Sequence, residues 1–357
     1  MKGLLHFFWF NYHRRHGDAN LYQDSNSEIQ KWAEKCLAGR FMVHSTSCVT
    51  QGRVTVSRED VLLGHPSWDT HAAAAGRFGR SDRDWMRDNR LRDTDACHPN
   101  SYVLMPWVPV FPPDWTRHMP CYESQLEGAR VIFAICGPIW LERTLSLRDG
   151  TVQSRVKDKL VRLDMCVNSA AFTISKEAFN PVGRRKLIHV SNMAPYKNIG
   201  LLLQSTSGVA IPSIGSRALK KLAKGAAEME VEGEPLTFNN LGAVNNDDET
   251  QIRALVREHD FYIHTSSMDA QATTILEFAA RGLIPIVTPE SGFDSEDAIT
   301  LTDSPARNRE IIRRALEMTD EECRHRSARL KQQVRQRHSW HNFFETIAVK
   351  IAATRGN

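Results

Sequence analysis

Short apolar runs alternate with helical patterns along this chain, and few folds are compatible with that alternation. Residues 261–264 and 284–288 are apolar or rich in β-branched side chains, and the stretch between them, 273–281, has helical periodicity. Gly282 stands where the C-cap of that helix belongs. A strand, a helix and a second strand in this order are typical of a parallel sheet with crossover helices. The sequence therefore predicts an α/β protein.

The same pattern runs along most of the chain and divides into two domains. A length of 357 residues exceeds what one hydrophobic core usually supports. The turn-forming stretch Asn180-Pro181-Val182-Gly183 directly precedes a predicted strand at 186–191 that restarts the pattern. We therefore predict a Rossmann-like domain over residues 1–180 and a second over residues 181–357. Further strands are expected at 4–10, 41–44, 60–63, 102–104, 131–136 and 236–241, and helices at 27–37, 200–205 and 249–258.

The composition of the chain argues against a nucleic-acid partner, a disulfide-forming compartment and a membrane-spanning segment. The 46 Lys and Arg residues against 42 Asp and Glu leave a net charge of +4, scattered along the chain, so a nucleic-acid partner is not expected. Seven cysteines without a Cys-x-x-Cys pair predict neither a disulfide framework nor a zinc site, which favours the cytoplasm. No apolar run reaches membrane-spanning length, so any membrane contact is expected to be peripheral.

The most informative segment runs from Ser266 to Gly282. It places the carboxylate of Asp269 in a loop and that of Glu277 in the following helix, eight positions on. Between them lies a helix N-terminus, whose backbone N–H groups and positive dipole end suit a diphosphate. An acidic residue such as Glu277 can accept hydrogen bonds from a ribose diol. Taken alone, the two carboxylates are better explained as a capping or turn residue and a solvated helix position. The apolar residues around Glu277 favour a functional role, because an unpaired carboxylate is costly there.

This segment resembles the carboxylate-x7-Glu motif of the retaining glycosyltransferases of family GT4, which have the GT-B fold of two Rossmann-like domains facing across a cleft. The family usually has Glu-Gly where this chain has Asp269-Ala270. The resemblance implies that Asp269 contacts the donor sugar and that Glu277 binds the ribose. It also implies that the backbone near the helix start binds the diphosphate, at Ala270, Gln271, Ala272 and Thr273.

A second segment, residues 187–198, resembles the strand and loop that end in the phosphate-binding lysine of the same family. The matching lysine is Lys197, which the resemblance assigns to the donor diphosphate. The family usually has Gly-Arg where this chain has Ser191-Asn192, so Asn192 would contribute neutral hydrogen bonds in place of a guanidinium. The final helix, with Trp340, resembles the closing segment that packs back on the first domain.

The first half of the chain matches the family less well. Many members place a histidine after an N-terminal strand, near the anomeric carbon of the sugar. His65 follows the predicted strand at 60–63 and is the first candidate, with His98 and His118 as alternatives. We therefore take His65 and Asp269 as the catalytic candidates.

The resemblance implies retaining transfer of a hexose-type sugar from a nucleotide-diphosphate donor to a glycan or lipid-linked acceptor, as in polysaccharide biosynthesis. It implies no metal and no cofactor other than the nucleotide-sugar substrate. The main alternative is a catalytically degenerate GT-B domain that binds a sugar nucleotide or a partner protein, which the departures at Asn192 and Ala270 favour. Another GT-B activity, such as an epimerase or a phosphorylase, lacks matching residues in this sequence.

Overall fold

The structure is a computed structural model of the chain. It describes residues 3–8, 25–45, 59–64, 100–106, 126–147, 152–216, 230–231, 234–246 and 248–355. Three histidines named above as catalytic candidates, His65, His98 and His118, lie outside the described residues. The predicted role of His65 therefore stays a prediction.

The chain forms two compact units. The first contains Met1–Asp164 and Trp340–Asn357, and the second contains Met165–Ser339. The boundary predicted from the sequence follows Asn180. Residues between the two positions bond within the second unit, because the amide of Lys176 donates to the carbonyl of Arg281 (2.7 Å) and the side chain of Asn180 donates to Asp260 (2.8 Å).

The first unit is built on a six-stranded parallel sheet. Its strands are β1 (Gly3–Phe8), β2 (Phe41–Ser45), β3 (Val61–Gly64), β4 (Ser101–Pro106), β5 (Val131–Ile135) and β6 (Leu160–Leu163), in the spatial order β2-β1-β3-β4-β5-β6. Its helices are α1 (Ser25–Leu37), α2 (Pro138–Leu145), α3 (Val152–Val156) and α9 (Trp340–Thr354). The last helix, α9, packs on α1, and Phe344 meets Phe7 edge to face at 6.3 Å between ring centroids. The C-terminal helix thus belongs to the unit that begins the chain.

The second unit holds another six-stranded parallel sheet, with the order β11-β8-β7-β12-β13-β14. Its strands are β7 (Leu187–Val190), β8 (Ser213–Gly215), β11 (Asn239–Gly242), β12 (Phe261–His264), β13 (Ile284–Val287) and β14 (Ile299–Thr300), and a separate ribbon pairs β9 (Glu230–Val231) with β10 (Glu234–Pro235). Its helices are α4 (Ile199–Thr206), α5 (Glu249–Glu258), α6 (Thr273–Ala280), α7 (Pro305–Leu316) and α8 (Asp320–Arg337). Counted within the unit, this strand order is that of the Rossmann fold, 3-2-1-4-5-6.

Local sequence explains why these elements form. Every residue of β12 and β13 is buried, as expected for central strands of a parallel sheet covered on both faces. Helix α5 begins at an Asp248 cap, whose carboxylate accepts from the amides of Thr250 and Gln251. Helix α8 begins with a capping box between Thr319 and Glu322. The caps thus account for where α5 and α8 begin, and the burial of β12 and β13 fits their central place in the sheet.

The α/β prediction and the two-sheet architecture are confirmed. Most predicted strands and helices lie within a few residues of the observed ones, and α5 and β12 have the predicted bounds. The structure adds short elements that the sequence analysis did not predict, among them β6, β8 and β14. In the described segments, no helix combines the length and the apolar character needed to cross a membrane.

Candidate functional site

The candidate site lies at the carboxyl end of two neighbouring strands, β7 and β12. Strand β7 is followed along the chain by β8 on one side of the sheet, whereas β12 lies on its other side, so the strand order reverses between them. Open α/β sheets bind ligands at this topological switch point, beyond the carboxyl ends of the strands. The loop after β7 carries Lys197, and the loop after β12 carries Asp269. The topology thus brings two of the predicted site residues to one place.

Hydrogen bonds fasten the loop after β12 to the 3₁₀ turn Pro195–Lys197 that follows β7. The hydroxyl of Thr265 donates to the carbonyls of Lys197 (3.2 Å) and Asn198 (3.0 Å). The Ser266 hydroxyl and the Ser267 amide both donate to the Tyr196 carbonyl, at 3.0 and 2.8 Å. These bonds fix the position of both loops relative to each other.

Lys197 and Asp269 form a charge pair between Nζ and Oδ2. Both side chains are largely buried, and His264 Nε2 lies 3.5 Å from the same carboxylate oxygen. Burial acts to raise the pKa of Asp269, but the polar contact with His264 and the charge of Lys197 outweigh it and hold that pKa below its usual value. Asp269 is therefore an anion at neutral pH, next to a cation that could hold a phosphate.

A layer of buried rings lies beside this pair. The rings of His189 and His264 are 5.3 Å apart, and Tyr262 lies 6.1 Å from His264. The Tyr262 hydroxyl lies 2.8 Å from both the Val190 carbonyl and the Thr274 hydroxyl, so it connects β7, β12 and α6. Burial, followed by the proximity of His264, lowers the pKa of His189 to about 3, so this ring is neutral.

The loop that contains Asp269 is shaped by a glycine turn after β13. The 3₁₀ turn Pro289–Ser291 ends at Gly292, whose φ is 73°. A Cβ atom at Gly292 would lie 2.1 Å from the carbonyl oxygen of Ala270, so the two backbones are in direct contact. The Asp269 amide also donates to the Glu290 carbonyl (2.9 Å). Glycine alone lacks the Cβ atom that would prevent this approach, and it adopts this φ without steric cost.

The residues at the start of α6 differ in their burial and in their hydrogen bonds. The buried Gln271 side chain accepts a hydrogen bond from the Met165 amide and donates to the Gly292 carbonyl (3.3 Å). The Ala272 amide donates to the Ser291 carbonyl (3.1 Å). These two residues therefore hold the loop in place. Ala270 and Thr273 are partly exposed, and α6 begins at Thr273.

Glu277 and Asn192 lie at the edges of the site. Glu277 lies in α6, partly exposed, and its Oε2 accepts from the Asn246 side chain (3.1 Å). Asn192 lies in the loop after β7, exposed, with its side-chain oxygen accepting from the Ala194 amide (3.2 Å). Asn246 comes from the loop after β11, so a third loop reaches Glu277.

His264, His189 and Asn246 belong to this site and were not predicted from the sequence. The glycine turn was predicted, because Pro289-Glu290-Ser291-Gly292 is turn-forming and stands where the resembled family has its donor-site glycine turn. The two histidines lie in apolar strands and have no distinguishing spacing. In the described part of the chain, no group of three or more His, Cys, Asp or Glu side chains is arranged to hold a metal ion.

No protein-family model and no curated protein matches the sequence. Solved structures do match. Sucrose-phosphate synthase from Thermosynechococcus elongatus superposes with a TM-score of 0.67 at 9% identity, covering 98% of this chain and 99% of that one. WaaG, a glycosyltransferase involved in lipopolysaccharide biosynthesis, superposes with a TM-score of 0.57 at 10% identity. The match covers 98% of this chain and 99% of WaaG.

The fold is that of the GT-B glycosyltransferases. A third match is S. aureus TarM, as its G117R mutant in complex with fondaparinux, alpha-GlcNAc-glycerol and UDP, with a TM-score of 0.55 at 11% identity. It covers 83% of this chain, and this chain spans only 56% of TarM. At these identities the likeness shows the fold, and function lives in the site that a fold carries.

Proposed function

We propose that this chain is a retaining glycosyltransferase that transfers a sugar from a nucleotide-diphosphate donor to a glycan or lipid-linked acceptor. The observation that carries the proposal is the meeting of Lys197 and Asp269 at the switch point of a Rossmann-ordered sheet. These are two of the residues that the motif resemblance assigns to the donor. The GT-B fold, found without any use of those motifs, supports the same function.

Each site residue takes a defined task in the proposed reaction. Lys197 and the N-terminal end of α6 bind the diphosphate and neutralise the charge that grows on it as the sugar leaves. Asp269 binds the sugar, and Glu277, held by Asn246, accepts hydrogen bonds from the ribose. Because Lys197 supplies the positive charge, we propose that no metal is required. His65 is our candidate next to the anomeric carbon, since it directly follows β3.

We also propose an order of events at the site. In the structure, the Asp269 carboxylate pairs with Lys197, the lysine that we assign to the donor diphosphate. A diphosphate carries more negative charge than one carboxylate and would take over this lysine. Asp269 would then be released towards the sugar. Donor binding is therefore an exchange of anions on Lys197.

Thermal unfolding in the presence of UDP-, GDP- and ADP-sugars tests the proposal. A ligand that binds only the folded chain stabilises it by about 2.7 kcal/mol at a hundredfold excess over its Kd. We expect one nucleotide to stabilise the unaltered chain and to lose this effect in Lys197→Ala and Glu277→Ala. Lys186→Ala is the matched control, because Lys186 is an exposed lysine of the same unit that pairs with Glu258.

Two results would count against the proposal. If no nucleotide sugar stabilises the unaltered chain at millimolar concentration, the donor site does not exist. If a nucleotide sugar binds but is never turned over with any acceptor or with water, the chain is a degenerate binding domain instead. Consumption of the bound sugar nucleotide, followed by release of the nucleoside diphosphate, supports transfer.

A further inference from the structure

We propose that His264 is a positioning residue, which holds the carboxylate of Asp269 in place once the donor diphosphate has engaged Lys197. This inference rests on the proposed function, because it assigns a step of donor binding. It is carried by the position of the His264 ring, which is buried and directed at the one carboxylate of the site that would lose its lysine partner.

The ring of His264 is placed rigidly. It belongs to β12, where its backbone pairs with Val287 of β13, and its carbonyl accepts from the Thr288 amide at 3.1 Å. Its side chain is fully buried. Within the described residues, neither ring nitrogen makes a hydrogen bond of normal length. A buried polar group in this state destabilises the fold unless it can form a hydrogen bond.

Asp269 is the residue that can form this hydrogen bond. Its Oδ2 lies 3.5 Å from Nε2 of His264, a few tenths of an ångström beyond ordinary hydrogen-bond length. The same oxygen is held by Lys197. While Lys197 holds it, the carboxylate is kept short of the histidine. When the lysine turns to a diphosphate, a small rotation of Asp269 would close the bond to His264.

The neighbours of His264 keep it neutral and in place. His189 lies against it, with its Nδ1 2.8 Å from the Ile263 carbonyl and its Nε2 2.8 Å from the Ser191 hydroxyl. A carbonyl only accepts, so Nδ1 of His189 carries the proton. Burial lowers the pKa of His264, the contact with Asp269 raises it, and Lys197 lowers it, with a net lowering. A neutral His264 donates one hydrogen bond to Asp269 without adding charge to the site.

A comparison of nucleotide sugars with bare nucleotides separates this role from a structural one. The probes are UDP-glucose, GDP-mannose and ADP-glucose, with UDP, GDP and ADP, and affinities are measured by calorimetry. Asp269 faces the sugar and Lys197 the diphosphate. His264→Phe should therefore weaken nucleotide-sugar binding about tenfold while changing nucleoside-diphosphate binding less than about twofold. A merely structural loss would weaken both probes alike.

Two amide variants extend the test if the phenylalanine variant folds poorly. His264→Gln can place its nitrogen near the position of Nε2 and should restore most of the affinity, whereas the shorter His264→Asn should not. His259→Phe is the matched control, because His259 is also fully buried and lies two residues before the start of β12, with Nδ1 2.9 Å from the Leu255 carbonyl. Equal losses for the Gln and Asn variants would overturn the proposal.

The titration of Asp269, followed by carboxyl carbon NMR without any ligand, provides the second measurement. Among the described residues, Lys197 and His264 act on this carboxylate, and the titratable phenol of Tyr262 also interacts with its charge. We expect His264→Phe to raise the pKa of Asp269, and an unchanged pKa would overturn the inference. If that pKa rises but no nucleotide sugar binds the unaltered chain, the coupling stands as measured, and both the proposed function and the donor-binding role of His264 are rejected.

Discussion

Lys197 and Asp269 lie 72 residues apart in the sequence and form a largely buried charge pair in the folded chain. They come from loops that follow adjacent parallel strands, β7 and β12. A parallel sheet places the carboxyl ends of its strands on one edge, and a switch in strand order leaves space there for a ligand. The pair therefore links the topology of the sheet to its proposed chemistry.

A double-mutant cycle on this pair should show strong coupling. We expect Lys197→Met and Asp269→Asn, alone and together, to give a coupling free energy of about 1–3 kcal/mol in urea unfolding. The reason is that each single variant leaves a largely buried charge without its partner. The matched control is the exposed pair Lys186 and Glu258, for which we expect about 0.5 kcal/mol or less. Equal coupling in both cycles would contradict the buried pair.

Replacing Gly292 with alanine should displace the loop that carries Asp269. The new Cβ would lie 2.1 Å from the Ala270 carbonyl oxygen at a φ of 73°, so backbone must move. We expect a loss of about 2–4 kcal/mol in the free energy of unfolding. Gly208→Ala is the control, since its φ is 68° but no atom lies within 4 Å of the new Cβ, and it should lose only about 1 kcal/mol. Similar losses in the two variants would show that the contact with Ala270 is unimportant.

Stability should fall on acidification because of His189. Its pKa is about 3 in the folded chain and near 6.5 when unfolded, so between these values the unfolded state binds more protons. The contribution of His189 to the free energy of unfolding is thus complete above about pH 7 and is lost as the pH falls from about 6.5 towards 3. At pH 5 this histidine should cost about 2 kcal/mol. Urea unfolding should show that the free energy of unfolding falls less between pH 7.5 and pH 5 in His189→Phe than in the unaltered chain. Equal decreases in the two proteins would refute the role given to His189.

Gln271 should be important for stability although it is uncharged. Gln271→Met leaves the Met165 amide and the Gly292 carbonyl without their side-chain partner, and we expect a loss of about 1–3 kcal/mol. Gln333→Met is the control, because Gln333 is partly exposed and also makes two side-chain hydrogen bonds, to Asp294 and Ser295. Urea unfolding of both variants checks the prediction, which is wrong if the control loses as much.

The fold was more predictable than the site. Patterns such as Glu249–Glu258 and Phe261–His264 were assigned with the observed bounds, because helical periodicity and buried apolar runs are local properties. The short edge strand β14 was missed, since two residues carry no periodicity. His264 was missed for a related reason. A polar residue within an apolar strand shows no sign in the sequence of what its ring will face.

The alternation of strands and helices, the parallel sheets that follow from it, and the charged residue types in the loops after β7 and β12 are properties of the local sequence. These features depend on neighbouring residues and on backbone geometry, so they can be inferred from a short stretch of chain. The pairing of Lys197 with Asp269, the position of His264 at the same carboxylate and the contact of Gly292 with Ala270 arise only when the chain folds. Those contacts join distant segments, and their geometry follows from strand order and loop packing.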